Sequence, residues 1–259
     1  MADGHGSKKH FRSNVGSKAA TEAVLEAMER FYENADEFEE NFPVNYTSIM
    51  KNIEKQVISL WNSKVMKHLE ENPVTAEEKS LFEPEEFENI LPESYYGTTL
   101  IAAVAGRNFT FGFQIGDGSL VAVFDDGETS MLMDYEESNP ANITASMCNA
   151  NAASMFDDFY VENKQILGLF VSTDGLYTSF GCERDFLDYH TIIASQLSDS
   201  KAFETAVINN LKKRSHYGTQ DDVSLSCVFN TDLAKTKIGA VKAKVQENKQ
   251  RAAERKAKG

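Results

Sequence analysis

The sequence predicts a layered α+β fold. Helical-period apolar residues fill the region before residue 95. Short, turn-punctuated strands fill residues 97–133. Two further helical stretches then lead into a closing strand. Runs of helices followed by runs of strands suit segregated layers better than a parallel, doubly wound sheet.

Ser13 is placed to cap a helix over residues 15–31, with Ala19, Ala23, Leu25, Ala27 and Met28 as a rough apolar face. Residues 33–41 are acidic and predict a loop or frayed helix. Ile49, Ile53, Val57, Leu60, Trp61, Val65 and Leu69 recur at helical spacing over residues 46–71, and Pro73 ends that helix. Thr75-Ala-Glu-Glu78 matches a capping box. Residues 33–95 thus read as a helical, acidic insertion, a candidate flap beside a site or an ordinary helix packed on a sheet.

A strand is expected over residues 98–105. Phe109, Phe111, Phe113 and Ile115 then alternate with Thr110, Gly112 and Gln114, the period of a half-buried strand. Gly116-Asp-Gly118 turns into a strand over 120–124, and Asp125-Asp-Gly127 signals a hairpin into 130–133. Residues 139–163 are polar and read as irregular. Ile166–Val171 is an apolar run that suits a strand buried on both faces. Helices are expected over 183–197 and 201–214. Val223, Leu225, Cys227 and Phe229 form one face of the last strand.

The 259 residues are 41% hydrophobic and 25% charged, which fits one large domain or a domain with an appendage. Cys148, Cys182 and Cys227 form no Cys-x-x-Cys pair and read as reduced packing residues of a cytoplasmic protein. No apolar run approaches bilayer length, so no membrane partner is expected. The net charge is −14, yet residues 235–259 carry nine Lys/Arg and two Glu. The remaining body is strongly acidic and repels nucleic acid, so none is expected as a partner. The basic tail, residues 233–259, reads as a solvated terminus able to meet an acidic partner. A monomer is expected.

Three acidic positions stand where strands end or begin: Asp3 in Asp3-Gly4, Asp174 in Asp174-Gly175, and Asp221-Asp222. Carboxylates suit hard divalent cations, and a neighbouring glycine lets a backbone carbonyl approach the ion. An Asp-Gly pair is also a common plain turn. His10, His68, His190 and His216 show no partner pattern and read as surface or boundary residues.

Taken in order, Asp3-Gly-His-Gly6, Gly97-Thr-Thr99, Gly116-Asp-Gly118, Ser172-Thr-Asp-Gly175 and Gln220-Asp-Asp-Val-Ser224 resemble the motifs of PPM-type (type 2C) metal-dependent Ser/Thr protein phosphatases. The resemblance runs over about residues 2–230. It implies a four-layer α-β-β-α sandwich of two antiparallel sheets flanked by helices, within a domain of residues 1–232. It implies hydrolysis of phosphoserine and phosphothreonine in a phosphoprotein substrate by a metal-bound water. By resemblance, Asp3 bridges two Mn²⁺ or Mg²⁺ ions and the Gly4 carbonyl binds one of them. Asp174 and Asp221 complete the first ion's carboxylates, Asp222 leaving that last position shared. Asp117 contributes to a weaker third ion, and His5 is the general acid for the leaving alkoxide. The family's first strand also carries an Arg and an acidic pair. No residue before Asp3 supplies them, so the chain is expected to lack that strand. A catalytically inactive binding or regulatory module is the alternative expectation.

Overall fold

The computed structural model describes residues 1–133, 144–162, 165–219 and 221–258. The helices, in chain order, are α1 (Ser13–Phe31), α2 (Ala35–Glu71), α3 (Ala76–Lys79), α4 (Pro84–Glu88), α5 (Asp174–Thr178), α6 (Glu183–Ala194), α7 (Ser200–Arg214) and α8 (Thr231–Lys258). The strands are β1 (Leu100–Ala105), β2 (Phe109–Ile115), β3 (Ser119–Phe124), β4 (Thr129–Met131), β5 (Asp157–Glu162), β6 (Ile166–Ser172) and β7 (Leu225–Phe229). They form two antiparallel sheets, so the chain is α+β as its sequence predicts. Two compact units divide it: one of Met1–Asp117 and the return ending at Tyr160, the other starting at Gly118 and resuming from Val161.

The first unit carries the sheet of order β1-β2-β5. Residues 1–5 run antiparallel beside residues 97–101. The Met1 and Asp3 carbonyls accept from Ile101 N and Thr99 N (both 2.8 Å), and His5 N donates to the Gly97 carbonyl (3.1 Å). Against this sheet lies α2. Phe42 is fully buried and stacks on Phe109 with ring centroids 4.9 Å apart. Fully burying such a side chain stabilises by roughly 1.5–3 kcal/mol. Ala20, Ala23 and Ala27 of α1 are buried, and their small size brings α1 close to α2. Trp61 donates from Nε1 to the Gly16 carbonyl (3.0 Å), which satisfies its polar atom inside the core.

Four expectations are corrected here. The acidic stretch 33–41 is helix. Asn34 accepts from Glu37 N (3.4 Å), Asp36 and Glu37 sit favourably in the first turn, and Phe38 and Phe42 anchor it. The helical dihedrals break at Asn45 (φ −119°, ψ 24°), two residues after Pro43, whose ring cannot continue the hydrogen-bond ladder. Arg12, not Ser13, takes the α1 N-cap, because its carbonyl accepts the first helical hydrogen bonds, from Val15 N (3.0 Å) and Gly16 N (3.1 Å). All seven residues of β2 are buried, because β2 is the middle strand and both of its faces are covered. Within the polar stretch 139–163, part of which lies outside the described residues, β5 forms. The Thr75–Glu78 capping box is present with both of its hydrogen bonds.

The second unit carries the sheet of order β4-β3-β6-β7. The Ile166 strand is interior to it, paired on one side with β3 and on the other with β7. Phe186, Tyr189 and Ile193 of α6 pack over Val121, Val123 and Phe170. The basic tail is α8, not a loose terminus. Ala234 and Val241 are buried in this core and Val245 is 6% exposed, so the apolar stripe of the tail is the face that packs. His190 is also no boundary residue. It is fully buried, its ring edge-on to Phe170, Phe186 and Tyr189.

Candidate functional site

In the first unit the candidate residues gather around the loop before β1. Asp3 is fixed through its backbone: its N–H donates to Thr99 Oγ1 (3.1 Å), and its carbonyl accepts from Thr98 Oγ1 (2.6 Å) as well as from Thr99 N. Gly4 forms an antiparallel bridge with Thr98. Ser146 closes the group by donating to the Thr98 carbonyl and accepting from Thr98 N (both 3.1 Å). Asp117 follows Gly116, whose φ of +110° makes the tight turn at the end of β2 and whose α-carbon packs on Thr99. Thr144 Oγ1 donates to Asp117 Oδ2 (2.8 Å). Thr144 and Ser146 lie in the stretch that reads as irregular, and only their contacts with Asp117 and Thr98 reveal them.

His5 sits half-buried beside His10, ring centroids 4.9 Å apart. Burial is the main cause that lowers its pKa; the neighbouring His10 lowers it further and Asp117 opposes. His10 is buried, and its Nδ1 meets the Ser94 carbonyl. Its pKa is also lowered, chiefly by burial.

In the second unit β6 ends at Ser172, and Asp174 opens the short helix α5. Thr173 ties this end to the loop before β7. Its N–H donates to the Ser224 carbonyl (3.2 Å), its hydroxyl to the Asp222 carbonyl (3.3 Å), and Ser224 N donates back to Thr173 Oγ1 (3.1 Å). This clasp carries Asp221 to the Asp174-Gly175 turn. A Cβ on Gly175 would stand 3.4 Å from Asp221 Cγ and 2.7 Å from the Asp222 carbonyl oxygen. Glycine is what lets the two acidic segments lie that close. Asp174 Oδ1 accepts from Gly175 N and Asp221 Oδ1 from Asp222 N (both 2.8 Å). The Asp221 segment thus lies against Gly175, the residue after Asp174, and of the pair Asp221-Asp222 it is the Asp221 side chain that does so.

Arg214, which the sequence does not single out, braces the same region. Its guanidinium lies 3.5 Å from the Phe180 ring centroid and donates to the Ser179 carbonyl (3.2 Å), directly after α5. The next residue, Ser215, donates to the Asp221 carbonyl (2.9 Å).

The family model described as Protein phosphatase 2C matches residues 1–213. The chain belongs to the protein phosphatase 2C family. Solved structures agree at the level of fold. PppA, described as a key regulatory component of T6SS in Pseudomonas aeruginosa, aligns with TM-score 0.52 at 13% identity over 87% of this chain and 82% of its own. A serine-threonine phosphatase 2C from Toxoplasma gondii gives 0.52 at 13% identity, over 88% and 83%. A bacterial serine phosphatase variant gives 0.51 at 13% identity, over 88% and 83%. Their likeness shows the family's α+β architecture of two antiparallel sheets with flanking helices. No curated protein sequence matches the chain.

Membership of the protein phosphatase 2C family supports phosphatase function in general, and not the inactive-module alternative. Among the described residues no three His, Cys, Asp or Glu side chains meet as a ready metal cage. The donor set at Asp174 and Asp221 is nonetheless all oxygen, two carboxylates with backbone carbonyls beside them, which is the chemistry a hard divalent cation takes. The residues present therefore fit Mn²⁺ or Mg²⁺. No described helix is long and apolar enough to cross a membrane.

Proposed function

We propose that the chain hydrolyses phosphoserine and phosphothreonine in proteins, with Mn²⁺ or Mg²⁺ as cofactor. The observation that carries this, with the family match, is the Asp221 side chain lying against Gly175, the residue next to Asp174. Cation-binding roles are assigned to Asp3, the Gly4 carbonyl and Asp117 within the first unit and, separately, to Asp174 and Asp221 within the second. When bound, the cation supplies Lewis-acid charge to phosphoryl oxygens and lowers the pKa of water.

The rest is done by the chain. Thr98 and Thr99 hold the Asp3 backbone by both its N–H and its carbonyl, so no ordering is needed there when a cation binds. Thr173 and Ser215 donate to the Asp222 and Asp221 carbonyls and so hold that segment. His5 is assigned to proton delivery toward the departing serine or threonine oxygen, a role worth roughly 10²–10⁴-fold. The phosphoprotein substrate and a cytoplasmic setting belong to the same proposal, the latter supported by three unpaired cysteines.

Hydrolysis of a phosphothreonine peptide tests it. Activity should require Mn²⁺ or Mg²⁺, stop on chelation, and fall at least about 100-fold in Asp174→Asn or Asp221→Asn while the fold is kept. Turnover that survives chelator, or an Asp174→Asn variant at full rate, would remove the assignment.

A further inference from the structure

A cleft of about 590 Å³ opens in the second unit between the start of α6, the turn joining β3 to β4, and α8. It contains none of the residues assigned above to hydrolysis, and its size is that of a small-molecule site. Its α8 wall is Lys244, Asn248, Arg251 and Arg255, spaced by four, three and four residues and so set on one helix face. Asn248 is 7% exposed, and its Oδ1 is buried with no hydrogen-bond partner. Arg251 Nε is likewise buried and unpartnered, although the same guanidinium reaches Asp188 Oδ1 through Nη2 (2.9 Å). One buried acceptor and one buried donor thus stay unmet in one cleft, where folded proteins rarely leave either.

The facing wall points to what would meet them. Cys182 caps α6 with no side-chain hydrogen bond, so the Glu183 and Arg184 N–H groups take no cap from it, while Asp185 N donates to the Cys182 carbonyl (3.1 Å). Arg184 has no carboxylate partner among the described residues. Lys244 pairs with Glu128, Arg251 with Asp188 and Arg255 with Asp185, so Arg184 is the cation of the cleft that no carboxylate among the described residues neutralises. Helix N–H groups, guanidinium groups and an unpaired N–H suit a phosphoryl group. The orphaned Asn248 oxygen needs a hydroxyl or N–H donor from the same molecule.

We propose that this cleft binds a small phosphomonoester bearing hydroxyl groups, its phosphate between Arg184 and Arg251 and a hydroxyl donating to Asn248. A nucleotide and a sugar phosphate share that chemistry. Titration calorimetry on the full chain in chelator, with inorganic phosphate, AMP and glucose 6-phosphate as probes, separates them. One organic phosphate should bind at least tenfold more tightly than inorganic phosphate, and which one does so identifies the source. Arg184→Ala should weaken it roughly 10–100-fold, as expected for a lost charge-assisted contact. Asn248→Leu should bring its affinity to within threefold of inorganic phosphate. Asp174→Asn should leave binding intact, which separates this cleft from the hydrolytic residues. Equal binding of all three probes, no binding of any, or unchanged affinity in Arg184→Ala overturns the proposal. Arg184 is exposed, so that variant decides the matter even where Asn248→Leu fails to fold.

Discussion

Replacing Gly175 by alanine tests the reasoning about the second-unit carboxylates most directly. The added methyl would lie 2.7 Å from the Asp222 carbonyl oxygen and 3.3 Å from Asp221 Cβ. An unstrained contact is about 3.5 Å, so the Asp221–Asp222 backbone must retreat by roughly 0.8 Å. It cannot do so freely. Ser215 and Thr173 hold the Asp221 and Asp222 carbonyls, and Thr173 is itself held by Ser224. Overpacking of this kind costs about 1–3 kcal/mol, and in a domain of this size each kcal/mol lowers Tm by roughly 2–4 °C. The effect on chemistry is larger, because a shift near 1 Å in a positioned group lowers rate by about 10²-fold. Gly175→Ala should therefore melt only modestly lower, lose close to two orders of magnitude in kcat/KM on a phosphothreonine peptide, and need more Mn²⁺ for half-maximal rate. A variant within twofold of the parent in rate and Mn²⁺ requirement would show that Asp221 does not depend on that turn.

Three further outcomes follow from the packing. Gly16→Ala places a methyl 1.8 Å from the Tyr96 carbonyl oxygen, where neither backbone can rotate away; a loss of at least about 3 kcal/mol is expected, read as a lower urea midpoint. Burial pulls the His190 imidazole down to about 4, below its unfolded value near 6.5. The unfolded chain therefore takes up this proton first: the stability His190 contributes is complete above about pH 6.5 and declines toward pH 4. His190→Phe should flatten the urea midpoint across that window. The Arg12 guanidinium, hydrogen-bonded to Glu78, holds that carboxyl down at about 2. Its contribution is present above the usual carboxylate range near 4.3 and is lost as pH falls through about 2, and Glu78→Gln should remove that acid-side slope.

Much of the second sheet was legible because its signals are local. Ile166–Val171 is apolar enough to demand an interior position, and it has one. The capping box at Thr75 is likewise a four-residue signal. What escaped was set by distant partners. The acidic start of α2 is helical because Phe38 and Phe42 reach β2, and no charge pattern shows that. Arg12 looks like a surface cation, yet it is 7% exposed and bonds the Tyr96 hydroxyl and the Asn72 and Pro73 carbonyls as well as Glu78. His190 reads as polar until three aromatic rings are placed around it. At the candidate site, the Asp-Gly motifs marked the carboxylates, but Thr144, Ser146 and Arg214 act through contacts that the primary structure does not bring near.

The turn at Gly127 shows what such distance means during synthesis. Its φ of +87° puts the bare α-carbon against the Lys244 and Val241 region of α8, and Glu128 pairs with Lys244 across 116 residues of chain. At about 5–20 residues per second, this hairpin leaves the ribosome roughly 6–23 s before the helix that shields it. Until then the nascent chain leaves that turn uncovered, even with α6 already packed over Val121 and Val123.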